Sequence, residues 1–180
     1  MAKDVVSGIK IEDGKFYLYD IRVGLTDFKI FSIIFKEFDK LIGPVSSTII
    51  YKAVKRQTSE SVKSILTTLG FKEIDGKTFD DRTIEFFLNM GVADLMSRFG
   101  WGAMKITDFD ASKGFIRLCV EDSVVAESYD EEQERPVCFF IAGMIAGGAE
   151  MLLGHDVECK EVKCKACGDE HCEFVIQKGL

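Results

Sequence analysis

The sequence predicts an α+β fold, an antiparallel β-sheet with helices packed on it. Three observations carry that prediction. Short runs of alternating polar and apolar residues occur in pairs around turn signals at the N-terminus, in the middle and at the C-terminus. The stretches between those pairs have the helical period. The links are short, and none is long enough to be the crossover that parallel strands need. The resulting order is ββ-ααα-ββ-α-ββ over one domain spanning residues 1–180, with no internal repeat.

The elements follow in turn. "IKIEDGKFYLYD" reads as two strands joined at Asp13-Gly14, a dipeptide favoured in tight hairpins. In the first helix Phe28, Phe31, Phe35, Phe38 and Ile42 recur at helical spacing. Thr26 or Asp27 can cap its start, and Gly43-Pro44 ends it. These phenylalanines could line a ligand cavity, but core packing is the simpler account. A second helix runs from about Ser47 to Leu69, with Gly70 as its stop. A third begins after Asp80-Asp81 and places Ile84, Phe87, Leu88, Val92 and Leu95 on one face. Alternation around "DASKG" gives strands at about 103–109 and 114–121. The acidic "ESYDEEQERP" is read as a solvated loop. Pro136 then starts an apolar helix, at a position where a missing N–H costs nothing. Strands at about 157–163 and 172–177 complete the chain.

Composition narrows the function classes. A chain of 180 residues, 47% hydrophobic and 29% charged, can bury a core without staples. Its 15 phenylalanines dominate the aromatics. A net charge of −7 argues against non-specific nucleic-acid binding, and the short basic run "YKAVKRQ" reads as the wet face of a helix. "VCFFIAGMIAGGAEMLLG" is shorter than the ~20 residues of a spanning helix and holds Glu150, so a buried helix is expected and no membrane span. The N-terminal residues lack the apolar run and cleavage site of a secretory signal. A cytoplasmic location follows as the expectation, with reduced cysteines and no disulfides.

Four of the six cysteines fall within "CKEVKCKACGDEHC", residues 159–172, in a segment too charged to be core. Tetrahedral zinc takes ligands of this kind, and spacing alone suggests Cys159, Cys164, Cys167 and Cys172. Cys119, alone in a strand, reads as packing. Cys164 and Cys167 form a C-x-x-C, but it sits between strands and not at the helix N-terminus where a redox dithiol works. His155 and His171 read as surface residues near turns.

"RPVCFFIAGMIAGGAEMLLG" followed by "VECKEVKCKACGDEHCEFVI", with "GWG" at 100–102, resembles the 4-vinyl reductase domain family over roughly the last 80 residues. That family is related to the sensing domains of phenol- and xylene-responsive regulators. Its fold is similar to that of TRAPP subunits, which work as dimers. The resemblance to the phenol sensors implies a particular zinc set. It is a Cys at the start of the apolar helix, a Glu 23 residues on, a Cys three later and a Cys eight after that, here Cys138, Glu161, Cys164 and Cys172. Cys167 and Cys159 then become reserve thiols. A site of three thiolates and one carboxylate leaves no open position for water and is structural; iron or another thiophilic metal could replace zinc.

No phosphate loop, nucleotide fingerprint or Ser/His/Asp set is found, which favours a binding role over an enzyme. The resemblance implies a zinc-braced homodimer holding a small apolar or aromatic molecule between sheet and helices. Phe99, Trp101, Met104, Phe139 and Met144 are the candidate lining residues. A regulator of this size has no room for an output domain, so a sensor would report to a separate protein. A TRAPP-like interaction module without a small ligand is the alternative. An accessory role in tetrapyrrole vinyl reduction is the third reading. Gly143, Gly147 and Gly148 cost ~1 kcal/mol each in a helix relative to Ala, so close approach of a second helix is expected there, with an apolar ligand as the sharper alternative.

Overall fold

The computed structural model describes residues 9–19, 21–71 and 79–179. Alternation and turn chemistry produce strands where expected. β1 (Ile9–Glu12) and β2 (Lys15–Leu18) pair antiparallel across Asp13-Gly14, and both turn residues take positive φ. β3 (Ile21–Val23) continues the meander, which makes a three-stranded sheet of its own. The fold is α+β, as expected, but with two sheets and not one. Consecutive short hairpins satisfy each other's backbone groups, so these strands need no place in the main sheet.

The main sheet has the order β4-β5-β7-β6, all antiparallel. Its strands are β4 (Ala103–Asp110), β5 (Phe115–Glu121), β6 (Val157–Lys163) and β7 (Cys172–Lys178). Ile116, Leu118 and Val120 of β5, with Cys172, Phe174 and Ile176 of β7, point inward and are buried.

The helices stack on this face. α1 (Lys29–Ile42) and α2 (Val45–Thr68) form a hairpin through Gly43-Pro44. α3 (Asp81–Phe87) is capped by Asp80, whose carboxylate accepts from the Thr83 N–H at 2.8 Å. The third helix is not one regular stripe. After Phe87 the chain widens into a π-helical stretch, Leu88–Asp94, before α4 (Leu95–Arg98). Gly91 lies in its middle, and a Cβ there would meet nothing within 4 Å. A short helix, α5 (Val124–Glu127), leads into the acidic loop, which is itself irregular as expected.

α6 (Phe139–Leu153) is the central element, buried on nearly every side between α2 and the sheet. It begins at Phe139 and not at Pro136, because Val137 and Cys138 stay outside the helix. The glycine expectation holds at Gly143 and Gly147 but not at Gly148, where a Cβ would meet only Val92 Cγ2 at an ordinary 3.5 Å. A Cβ on Gly143 would stand 2.8 Å from Tyr51 O of α2, and one on Gly147 would stand 2.3 Å from Lys55 O. The missing side chains let two backbones touch. Lys55 locks the crossing, its ammonium bonding Glu150 of α6 at 2.8 Å, Asp156 at 2.5 Å and the Val157 carbonyl at 2.6 Å.

Candidate metal centre

β6 and β7 bring three of the four ligand candidates to one end of the sheet, and α6 brings the fourth. Glu161 occupies an inward position of β6, where alternation demands an apolar residue, and is only 7% exposed. Beyond it the register with β7 slips between Glu161 and Lys163. This bulge turns the chain toward Cys164. A 3-10 turn, Lys165–Cys167, follows, and Gly168 closes it in the left-handed region at φ 90°. Asp169 holds the turn by accepting from the Cys164 N–H at 2.7 Å. Cys172, first residue of β7, faces inward and is fully buried. Cys138 sits at the start of α6, and its free N–H donates to Glu161 Oε2 at 2.8 Å.

The ligand atoms of Cys138, Glu161, Cys164 and Cys172 all lie within 4.8 Å of one another. Thiolates at about 2.3 Å from a tetrahedral zinc stand about 3.8 Å apart; the Cys138 and Cys172 sulfurs are separated by 3.7 Å. Glu161 Oε1 is buried with no hydrogen-bond partner. Such an atom is costly unless something is bound to it.

The electrostatics point the same way. Hydrogen bonds from the Cys138 and Cys172 thiols hold Cys164 far below the ordinary thiol range. Those same bonds, to Cys164 first and then Cys172, together with burial, push Cys138 well up. Cys172 is pulled down by Cys138, but its bond to Cys164 and its burial outweigh that and leave it raised. Burial, then the Cys164 sulfur, raises the Glu161 carboxyl to about 8. By themselves the four groups resist ionising together: Cys138, Cys172 and Glu161 tend to keep their protons while Cys164 gives its up. A divalent cation is the group that would let all four ionise. Three soft sulfurs select thiophilic metals over magnesium or calcium.

The reserve thiols stand outside this set. Cys167 is half-buried beside Cys164, and burial and that sulfur raise it to about 12. Cys159 is buried one inward position from Glu161, its N–H donating to Tyr51 Oη at 3.0 Å. His155 and His171 are half-buried and not among the four. The knuckle is pinned from outside by Lys165, which pairs with Asp122 at 3.0 Å and Glu127 at 2.9 Å. The Ala166 carbonyl also accepts from the Gln133 N–H at 2.7 Å.

The five expected lining residues do not surround one space. Phe99 is exposed, Met104 is core, and Trp101 stacks on Phe140 at 5.4 Å with Phe28 edge-on at 4.6 Å. Phe139 borders two clefts near the N-terminal end of α2. Only Met144 lines the apolar cavity, a space of about 300 Å³ between β2–β3, α2, the π-helical stretch and α6. Val62, Ile65, Phe87, Met90 and Met96 form much of its wall, with Thr58 and Ser61 as the hydroxyls. No ionisable side chain lines it among the described residues. A glycine between Met90 and Val92 was the signal in the sequence for an irregular, space-leaving helix.

Residues 116–178, the part holding the four converging residues, match the family model of the 4-vinyl reductase domain. The chain is 29% identical over 176 residues to an uncharacterised protein of Methanocaldococcus jannaschii, covering 87% of this chain and 96% of that one. The phenol-responsive sensory domain of the transcription activator PoxR, solved with phenol, is similar at a TM-score of 0.78 and 17% identity, over 97% of this chain and 86% of that one. Trafficking protein particle complex subunit 3 from Naegleria fowleri, covalently bound to palmitic acid, is similar at a TM-score of 0.59 and 14% identity, over 85% and 95% of the two chains. At these identities the two structures establish a shared fold. Among the described residues no helix is long and apolar enough to cross a membrane.

Proposed function

From the match to the 4-vinyl reductase domain over residues 116–178, we propose that the chain is a sensor-type domain that binds a small, uncharged, apolar or aromatic molecule. The reading includes no chemistry of the chain's own, a zinc ion on Cys138, Glu161, Cys164 and Cys172, and a homodimer that reports to a separate output protein. The cavity of about 300 Å³ carries this reading. Among the described residues its wall is apolar and without ionisable groups, so a charged ligand would lose hydration with nothing there to replace it. Thr58 and Ser61 leave room for one hydroxyl or carbonyl on the guest. The volume sits at the low end of ligand sites, a space for one or two rings and not for a four-ring macrocycle, which counts against the tetrapyrrole reading. The phenol held by the PoxR sensory domain is a ligand of the size this cavity admits.

Zinc would supply the positive charge that keeps three thiolates and a carboxylate together in a buried place. The chain's own residues would do the rest. Lys165 anchors the knuckle, the Cys138 N–H orients Glu161, and the fixed end of α6 sets the position of Met144 two turns on.

The test is calorimetric titration of the full chain with toluene, phenol and benzoate. Toluene and phenol should bind, benzoate should not, and Met144→Trp, which fills the cavity, should abolish both signals. Absence of binding by either neutral probe, or binding that survives Met144→Trp, overturns the reading.

A further inference from the structure

α1 is apolar around most of its circumference, and its own domain covers only half of it. Phe31, Ser32 and Phe35 face inward, with Phe35 packed on Phe139 at 4.9 Å. Ile30, Ile33, Ile34, Phe38, Leu41 and Ile42 are exposed, Leu41 by 77%. At about 100° per residue these six fall on one continuous half of the helix, and Glu37 is the only polar residue among them. Exposed Val45 and Ile49 follow at the start of α2. Together the eight side chains present on the order of 800 Å² of apolar surface, far more than scattered apolar residues on a monomer and equal to one side of a standard interface.

We propose that a second copy of this chain covers this face, α1 against α1 in antiparallel orientation. The proposal names the surface of the homodimer put forward above and rests on that reading. The pattern of α1 is in good part its own complement. Reversal about the midpoint between Phe35 and Lys36 carries Ile30 onto Leu41 and Ile33 onto Phe38, so a twofold axis there sets these four apolar side chains against one another, while Ile42 falls opposite Lys29, whose ammonium is already paired with Asp130. Glu37 falls opposite Ile34 and has its charge met within its own helix, by Lys40 at 2.6 Å. The lysines also argue against a membrane as the occupant, although they share one flank. Lys29 is paired with Asp130 at 2.7 Å, Lys36 lies over the Tyr129 ring at 5.0 Å, and Lys40 is held by Glu37. A face with its flanking charge already matched suits a neutral apolar partner better than anionic lipid.

Sedimentation equilibrium of the full chain at micromolar concentration tests this, with Ile34→Glu, Leu41→Glu and, as a control on exposed Ile11, Ile11→Glu. The wild type and Ile11→Glu should sediment at about 40 kDa, twice the 20.2 kDa chain. Ile34→Glu and Leu41→Glu should fall to half that mass with unchanged circular dichroism. A monomeric wild type overturns both the homodimer and the surface, and its co-sedimentation with anionic vesicles would identify a membrane as the occupant. Dimers that persist in Ile34→Glu and Leu41→Glu overturn the surface and leave the homodimer standing.

Discussion

Cys138 and Glu161 lie 23 residues apart in the chain, yet the backbone N–H of Cys138 donates to the Glu161 carboxylate at 2.8 Å in a fully buried setting. This bond joins the start of the central helix to an edge strand of the main sheet. It uses one oxygen of the carboxylate and leaves the other, Oε1, without a partner. A helix N-terminus favours negative charge, so the bond also holds Glu161 where a cation would need it.

Zinc content separates the four converging residues from the two reserve thiols. Cys138→Ser should lower bound zinc from one per chain to a small fraction, with affinity weakened at least 100-fold. Cys159→Ser and Cys167→Ser should leave one zinc per chain. Native mass spectrometry of protein purified without chelator reads this directly. Retention of zinc in Cys138→Ser, with loss in Cys159→Ser, would move the site to the set that spacing alone suggests.

Lys55 should matter to stability where Lys29 does not. The Lys55 side chain is 12% exposed and serves Glu150, Asp156 and a backbone carbonyl at once. Its removal strands carboxylates at a helix crossing, and Lys55→Ala should cost about 2 kcal/mol in urea denaturation. Lys29 and Asp130 pair across water with more than half of each side chain exposed, so Lys29→Ala should leave the midpoint where it is. Equal effects in the two variants would refute the role given to Lys55.

The glycines of α6 give a signed pair. A Cβ at Gly147 would meet Lys55 O at 2.3 Å and Ser59 N at 2.9 Å, both backbone atoms that cannot step aside. Gly147→Ala should therefore destabilise by about 3 kcal/mol through overpacking. At Gly148 a Cβ would meet only Val92 Cγ2, at 3.5 Å. Gly148→Ala should be neutral or gain up to ~1 kcal/mol from helix propensity. Thermal melts of both proteins decide it, and destabilisation by both would mean the helix crossing tolerates nothing.

Strands, helices and the converging Cys/Glu cluster could be read in advance for different reasons. Alternation and turn residues mark β1–β2, β4–β5 and β6–β7 locally, so their bounds came within a residue or two. The spacing from Cys138 to Cys172 carries a resemblance that local pattern lacks, since spacing alone pointed to Cys159 and Cys167. The cavity was not legible. Apolar periodicity says that Phe99, Met104 and Met144 avoid water, but not which of them borders empty space. That depends on how β2–β3, α2 and the π-helical stretch meet, and these are far apart in sequence. Pro136 misplaced the start of α6 for a chemical reason: the chain stays open through Cys138, whose N–H is spent on Glu161.

The response to pH should differ between metal-free and zinc-loaded protein. In the metal-free chain Glu161 is raised from 4.5 to about 8. A raised carboxyl contributes stability that is present below the unfolded value and lost as pH rises through the folded one. Cys164 is depressed from 9.0, and its contribution has the opposite sign, present above the unfolded value and lost as pH falls. Between pH 5 and 8 the proton kept on Glu161 and the one given up by Cys164 act in opposite directions, so the two slopes largely offset each other. With zinc bound all four groups are deprotonated, while the unfolded chain still carries three thiol protons. Each such proton contributes about 1.4 kcal/mol per pH unit, so the loaded protein should gain up to about 4 kcal/mol per pH unit at fixed free zinc. Urea denaturation at pH 5.5, 6.5 and 7.5, with chelator and with buffered zinc, measures both slopes. A flat line beside a steep one is the expected result. Parallel lines would mean that no metal replaces protons at these four residues.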